Sequence, residues 1–268
     1  MNDIKQVELS QEELLFLLRK LQLPDLSGMG KQPWQGIPEE KSFEVMMEAG
    51  RSLLDREIQH LNDQELVIEP DVIALLEACA YPEKMVVINY RLGDRIGEIC
   101  YCRRGDKEIK HTLPSARVHL FELVDDSDMG QGILQDLLID RQLNKSSHVT
   151  TARHDDLNQV KDLTQGSMVK ATEKICELGI EPEAADRLAM AFANSELKIR
   201  LQVYFDLKVP SKQTVISLFI RSDSCWMVTS SVAGSNALQV KEVTSEELNK
   251  VIQTLFYPFS EKISANES

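Results

Sequence analysis

The pattern Glu-Leu-x-Ile-Glu-Pro-acid occurs twice in this chain. The first copy runs from Glu65 to Asp71 and the second from Glu177 to Glu183, an offset of 112 positions. Each copy follows a helical stretch and leads through another helix into a run of strands. The proline suits the first turn of a helix, where no amide is needed, and the acid beside it suits the positive end of the helix dipole. A chain that repeats such a junction, with the same elements around it, folds as two related halves.

The periodicity supports this. Ser10 and Glu13 form a capping box that opens a helix carrying Leu14, Leu15, Leu17, Leu18 and Leu21 on one broad face. Residues 24–38, with Pro24, Gly28, Gly30, Pro33, Gly36 and Pro38, read as a loop that Trp34, within it, packs onto the body. The spacing of Phe43, Met46, Met47, Leu53, Leu54, Ile58 and Leu61 predicts one long helix over 39–62. A helix after Pro70 stops near Tyr81 and Pro82. The period then changes from 3.6 to 2, and strands follow at 85–90, 96–102, 107–113 and 118–124. A helix is expected over 133–143.

Residues 144–167 are polar and read as a connection, with a short helix over 155–163. The second half replays the first. Helices are expected at 168–177 and 183–194, and strands at 197–207, 214–221, 226–231 and 237–243. A last helix over 248–256 is capped by Thr244 and Glu247. Short turns between consecutive strands imply antiparallel meanders. The expected class is α+β in two quasi-repeated halves, 1–143 and 168–257, each an antiparallel meander with flanking helices. Residues 258–268 form a polar tail.

Composition narrows function mainly by exclusion. A net charge of −13 opposes general binding to nucleic acid and docking on an anionic membrane. No apolar run approaches the ~20 residues that span a bilayer. The first residues, Met1-Asn2-Asp3-Ile4-Lys5, show no signal peptide, so a cytoplasmic location is expected. The five cysteines read as reduced, buried thiols.

Phosphate-binding, dinucleotide, metalloprotease and nucleophile-elbow patterns are missing. Gly28-Met29-Gly30 lies in a proline-rich loop. Cys100 and Cys102 share one strand face but have no second pair with which to hold a metal. Asp125-Asp126 and Asp155-Asp156 read as helix starts, Arg103-Arg104 as a hairpin tip, and His148 and His154 as loop residues. No catalytic residue, metal site or cofactor is expected, and the chain reads as a non-enzyme.

Several stretches resemble the EspG family, cytosolic chaperones associated with type VII (ESX) secretion. The carrying residues are Leu9-Ser10-Gln11-Glu12-Glu13-Leu14, the loop ending at Ile37-Pro38-Glu39-Glu40, and Ile73 to Glu83 leading into a strand. Arg103-Arg104-Gly105-Asp106 and Val243-Thr244-Ser245-Glu246-Glu247-Leu248 complete the set. The chain is richer in Glu, Lys and Gln, and poorer in Ala and Arg, than typical actinobacterial members.

The resemblance implies a central antiparallel sheet with helical bundles, and a partner of PE–PPE type, a helical secreted protein whose apolar tip is bound. Apolar residues near the second-half sheet are then the candidate contacts: Phe205, Leu207, Val209, Phe219 and Trp226. Core packing is the competing role for each of them. A small-ligand-binding or enzymatic protein and a homo-oligomeric scaffold remain alternatives, with a dimer among the possible states.

Overall fold

The computed structural model describes residues 4–26, 38–62, 65–124, 143, 149–205, 213–222, 224–230 and 237–256. Its first elements are β1 (Gln6–Ser10), α1 (Gln11–Lys20), α2 (Glu39–Asp55), β2 (Gln59–Asn62), β3 (Glu65–Ile68) and α3 (Pro70–Ala80). The strands β4 (Lys84–Leu92), β5 (Arg95–Arg104), β6 (Lys107–Ser115) and β7 (Val118–Val124) follow. Then come β8 (Val149–Arg153), α4 (His154–Gly166), α5 (Met168–Glu177) and α6 (Pro182–Asn194). The chain continues through β9 (Leu197–Tyr204), β10 (Gln213–Arg221), β11 (Ser224–Ser230), β12 (Ala237–Glu242) and α7 (Ser245–Phe256).

Ten strands form one antiparallel sheet in the order β1-β7-β6-β5-β4-β9-β10-β11-β12-β8, and β2 pairs with β3 alone. The predicted α+β class with antiparallel meanders is the observed one. The element order also repeats. Each run of four meander strands is closed by a strand from before its helices, β1 on β7 and β8 on β12.

The chain divides into two compact units. The first holds Met1–Val87, Glu98–Ser127 and Tyr204–Lys212, and the second holds Ile88–Gly97, Asp128–Val203 and Gln213–Ser268. In the first, Leu14, Leu17 and Leu18 of α1 and Val72, Leu75 and Leu76 of α3 join a core with Cys100, Cys102, Ile109 and Phe121 of β5–β7. In the second, Leu157 and Val160 of α4, Ile175 of α5 and Leu188 and Phe192 of α6 pack with Phe219, Trp226 and Val240.

The capping boxes form as the sequence predicts. The Ser10 hydroxyl accepts from the Glu13 amide and the Glu13 carboxylate accepts from the Ser10 amide. Thr244 and Glu247 do the same for α7. The helix expected over 39–62 is shorter: it stops at Asp55, and residues 59–62 are β2. Glu57 adopts a left-handed φ of 57°. Its amide donates to Leu54, and the Ile58 amide donates to Leu53. This is a Schellman closure with a glutamate where glycine is usual, and Ile58 turned into the core. Helical spacing continues through the closure, so periodicity alone overruns it. Gln22, with φ of 54°, ends α1 in the same way.

The two copies of the repeated pattern differ in their first halves. Glu65-Leu66-Val67-Ile68 is strand β3. Glu177-Leu178-Gly179-Ile180 is the end of α5, where Gly179 takes a φ of 88° that Val67 could not adopt without strain. From the isoleucine onward they agree. Ile68 and Ile180 are buried, Glu69 and Glu181 are N-caps, and Pro70 and Pro182 open helices.

Residues 144–167, expected as a polar connection, carry β8 and the 13-residue α4. The strand is unexpected, and the short helix expected over 155–163 is α4, longer at both ends; each element buries little. Ala152 alone is buried in β8, and Leu157 and Val160 alone in α4. The helix expected over 133–143 falls, except for Leu143, outside the described residues. The tail and most of the loop over 24–38 also lie outside.

One polar pair lies inside the first unit. His111 and His119 are both buried and stack, with His111 Nε2 3.1 Å from His119 Nδ1 and Phe121 against the His111 ring. Burial pushes His111 down to about 3, helped by His119, and pushes His119 down to about 4 against the pull of Glu12.

Two outcomes are expected. Glu57→Gly should stabilise the chain in urea by roughly 0.5–1 kcal/mol, the relieved left-handed cost less the freedom glycine adds to the unfolded chain. The histidines are neutral when folded and charge near their ordinary value when unfolded, so the unfolded chain binds more protons below that value. Their stability is therefore full above about pH 6.5 and falls toward about pH 4, by up to ~1.4 kcal/mol per pH unit for each ring. Urea unfolding at pH 7 and pH 5 measures this slope. His111→Phe should make it shallower, and an unchanged slope refutes the assignment.

Candidate functional site

Two adjoining cavities in the second unit, of about 350 and about 550 Å³, share Lys161, Phe192 and Phe219. Volumes of this size accept a small ligand or a partner side chain. The helix α4 contributes His154, Leu157, Asn158 and Lys161 to the first. These positions are i, i+3, i+4 and i+7, one stripe of a helix. Arg200 of β9 and Ser217 and Thr229 of β10 and β11 supply further polar lining. The second cavity adds Thr164, Gln165, Asn194 and Lys198.

The geometry around Lys161 is specific. Its Nζ lies 5.7 Å from the Phe192 ring centroid and 5.4 Å from that of Phe219. The two rings meet edge to face, with centroids 4.8 Å apart and planes at 72°. A cation over such ring faces is held by their quadrupoles. Burial, and then the neighbouring Lys198 ammonium, push the Lys161 pKa below its ordinary value. Lys198 donates to the Phe192 carbonyl at 3.3 Å, and His154 Nδ1 lies 2.9 Å from the Asn158 amide nitrogen. Among the described residues no carboxylate lines either cavity. Neither Lys161 nor Arg200 forms a salt bridge with a described residue.

The structure does not gather the five sequence candidates into one surface. Phe219 lines both cavities and is itself nearly buried. Trp226 is its cross-strand partner on β11, with 0% exposure, and is a core residue. Phe205 belongs to the first unit, where its half-buried ring lies 5.4 Å from the Lys84 ammonium. Leu207 and Val209 lie outside the described residues. Sequence reasoning missed the basic residues of the groove. The stripe at 154, 157, 158 and 161, and Lys198 and Arg200 on the second face of β9, were the available signals.

The five cysteines are free thiols. Cys100 and Cys102 come within 3.7 Å, sulfur to sulfur, inside the first core, and burial pushes Cys225 up to about 12. Among the described residues no group of three or more His, Cys, Asp or Glu side chains is placed to hold a metal ion. No helix among them is long and apolar enough to cross a membrane.

No family model matches the sequence, and no curated protein matches it. Among solved structures the chain is similar to the type VII secretion system chaperone EspG5 of Mycobacterium tuberculosis, described in complex with a PE25–PPE41 dimer. The TM-score is 0.64 at 12% identity, over 93% of this chain and 95% of that one. The likeness shows an EspG-like fold.

The burial of Trp226 sets an expectation. Trp226→Ala should lower unfolding stability by about 3–5 kcal/mol in urea, as large core truncations do. A loss under ~1 kcal/mol would mean the ring is not packed as described.

Proposed function

We propose that this protein is a non-enzymatic chaperone or adaptor that binds the apolar tip of a helical secretion substrate of PE–PPE type. The observation that carries the reading is the fold likeness to a secretion chaperone over nearly the full length of both chains. At 12% identity the client is a proposal of this reading, as is a cytoplasmic site of action. A helical substrate with an exposed apolar tip aggregates unless that surface is masked, and a highly charged acidic chain is a suitable soluble carrier. The groove beside Phe192 and Phe219 is the candidate contact surface. It joins aromatic faces to a polar rim, the composition that partner surfaces favour.

Affinity purification of the tagged full chain from its native host tests the reading. A helical secretion substrate should be recovered in near-equal amount. That substrate should be insoluble when produced alone and soluble when co-expressed with the chaperone. Recovery of no such substrate, or a substrate whose solubility is independent of co-expression, counts against the proposal.

A further inference from the structure

The groove on the second unit has a charge pattern that masking an apolar tip does not require. The chain carries a net charge of −13, yet among the described residues the two cavities are lined by cations and no carboxylate. Lys161 and Lys198 are close enough for one to depress the other, and no described acid relieves them. Solvated lysines on an acidic protein ordinarily find carboxylates among their neighbours. Here the cations are gathered instead, and Lys161, though exposed to solvent, lies over two rings. An ammonium partly desolvated by neighbouring rings and without a counter-charge gains when an anion arrives.

The remaining lining says what else the anion carries. The guanidinium of Arg200, with five donors, and the hydroxyls of Ser217 and Thr229 offer hydrogen bonds to an oxyanion. Beside them Phe219, Val228 and Leu238 supply an apolar wall. A fully hydrated inorganic ion would leave that wall unused, and an uncharged chain would leave Lys161 and Arg200 unanswered. We propose that this groove binds a carboxylate carried on an apolar stem, with Lys161 and Arg200 pairing the charge and the rings of Phe192 and Phe219 packing the stem. Two sources offer this chemistry: an acidic side chain set among apolar residues on the client, and a free amphiphilic carboxylate. The recognition chemistry stands whether or not the chaperone reading holds.

The test uses the full chain and three probes, octanoate, octanol and acetate, titrated calorimetrically with amide chemical shifts recorded in parallel. Octanoate should bind and shift the resonances of α4, β9 and β10. Octanol, which lacks the charge, and acetate, which lacks the stem, should each bind at least about tenfold more weakly. Lys161→Gln and Arg200→Gln should each weaken octanoate by about tenfold with little change for octanol. Both positions are exposed, so the thermal transition of each variant should stay at the wild-type value, which separates lost binding from lost folding.

Equal binding of octanol and octanoate overturns the proposal, because the groove is then merely apolar. So does octanoate binding that both variants leave intact, or octanoate shifts confined to other elements. A co-expression arm separates the sources. Client capture that falls in both variants, and is competed by octanoate, assigns the carboxylate to the client. Capture unaffected by the variants, with octanoate discrimination retained, assigns it to a free amphiphile. If no client is recovered at all, the chaperone reading fails while the probe titrations still decide this one.

Discussion

Each half of the chain buries a carboxylate that an arginine from another element answers. In the first half Glu13 of α1 accepts from the Ser10 amide, from Ser52 Oγ at 2.7 Å and from Arg56 Nη1 at 2.8 Å. Burial alone would raise the Glu13 pKa, but these three donors together hold it below the ordinary carboxylate value. In the second half Glu242 of β12 is fully buried and meets Arg187 of α6 in a fork, Nε to Oε1 at 3.0 Å and Nη2 to Oε2 at 2.8 Å. Such pairs contribute little net stability against an apolar replacement, but losing one partner strands a buried charge at a cost of several kcal/mol. They therefore select among packings. Only one placement of α2 against α1, and one of α6 against β12, satisfies the charge. The leucine- and alanine-rich faces around them would tolerate others.

That division of labour explains what could be read in the residues. Features written in strong local chemistry were legible: the capping boxes at Ser10 and Thr244, prolines opening α3 and α6, and the meander strands. Features that depend on what the chain packs against were not. The end of α2 rests on Glu57 taking a conformation for which glycine is the usual signal. The strand β8 is recognised by its partner β12, not by its own Thr-rich sequence. For the site, apolar residues drew attention because a masking function calls for them, yet Trp226 is spent on the core. The basic residues of the groove, spread over 154–200, converge only once α4 lies beside the sheet.

The fold likeness and the groove inform different levels of function. An EspG-like fold in a chain only 12% identical to EspG5 shows that one architecture is compatible with mostly different side chains. Fold alone does not carry a binding specificity, which resides in the side chains of a site. The cationic lining around Lys161 is a property of this chain's own residues. It bears on what this chain would accept, whatever EspG5 accepts.

The closing strands have a consequence for how the chain assembles. Gln6 pairs with Glu122 and Ala237 with Arg153, so each meander is completed by a segment made well before it. During synthesis β1 has no partner until residues 118–124 emerge, and β8 waits for residues 237–242. Contacts so distant in sequence are entropically late events, and they slow folding. Until then the waiting strand of each half, β1 or β8, has no partner, and two nascent chains could exchange it. The completing strands are themselves polar on one side, with Gln6 and Glu8 exposed on β1 and Thr151 and Arg153 on β8. Among the described residues the sheet thus ends, at both extremes, in strands with a polar exposed side. Strand exchange is a hazard of assembly rather than of the completed molecule.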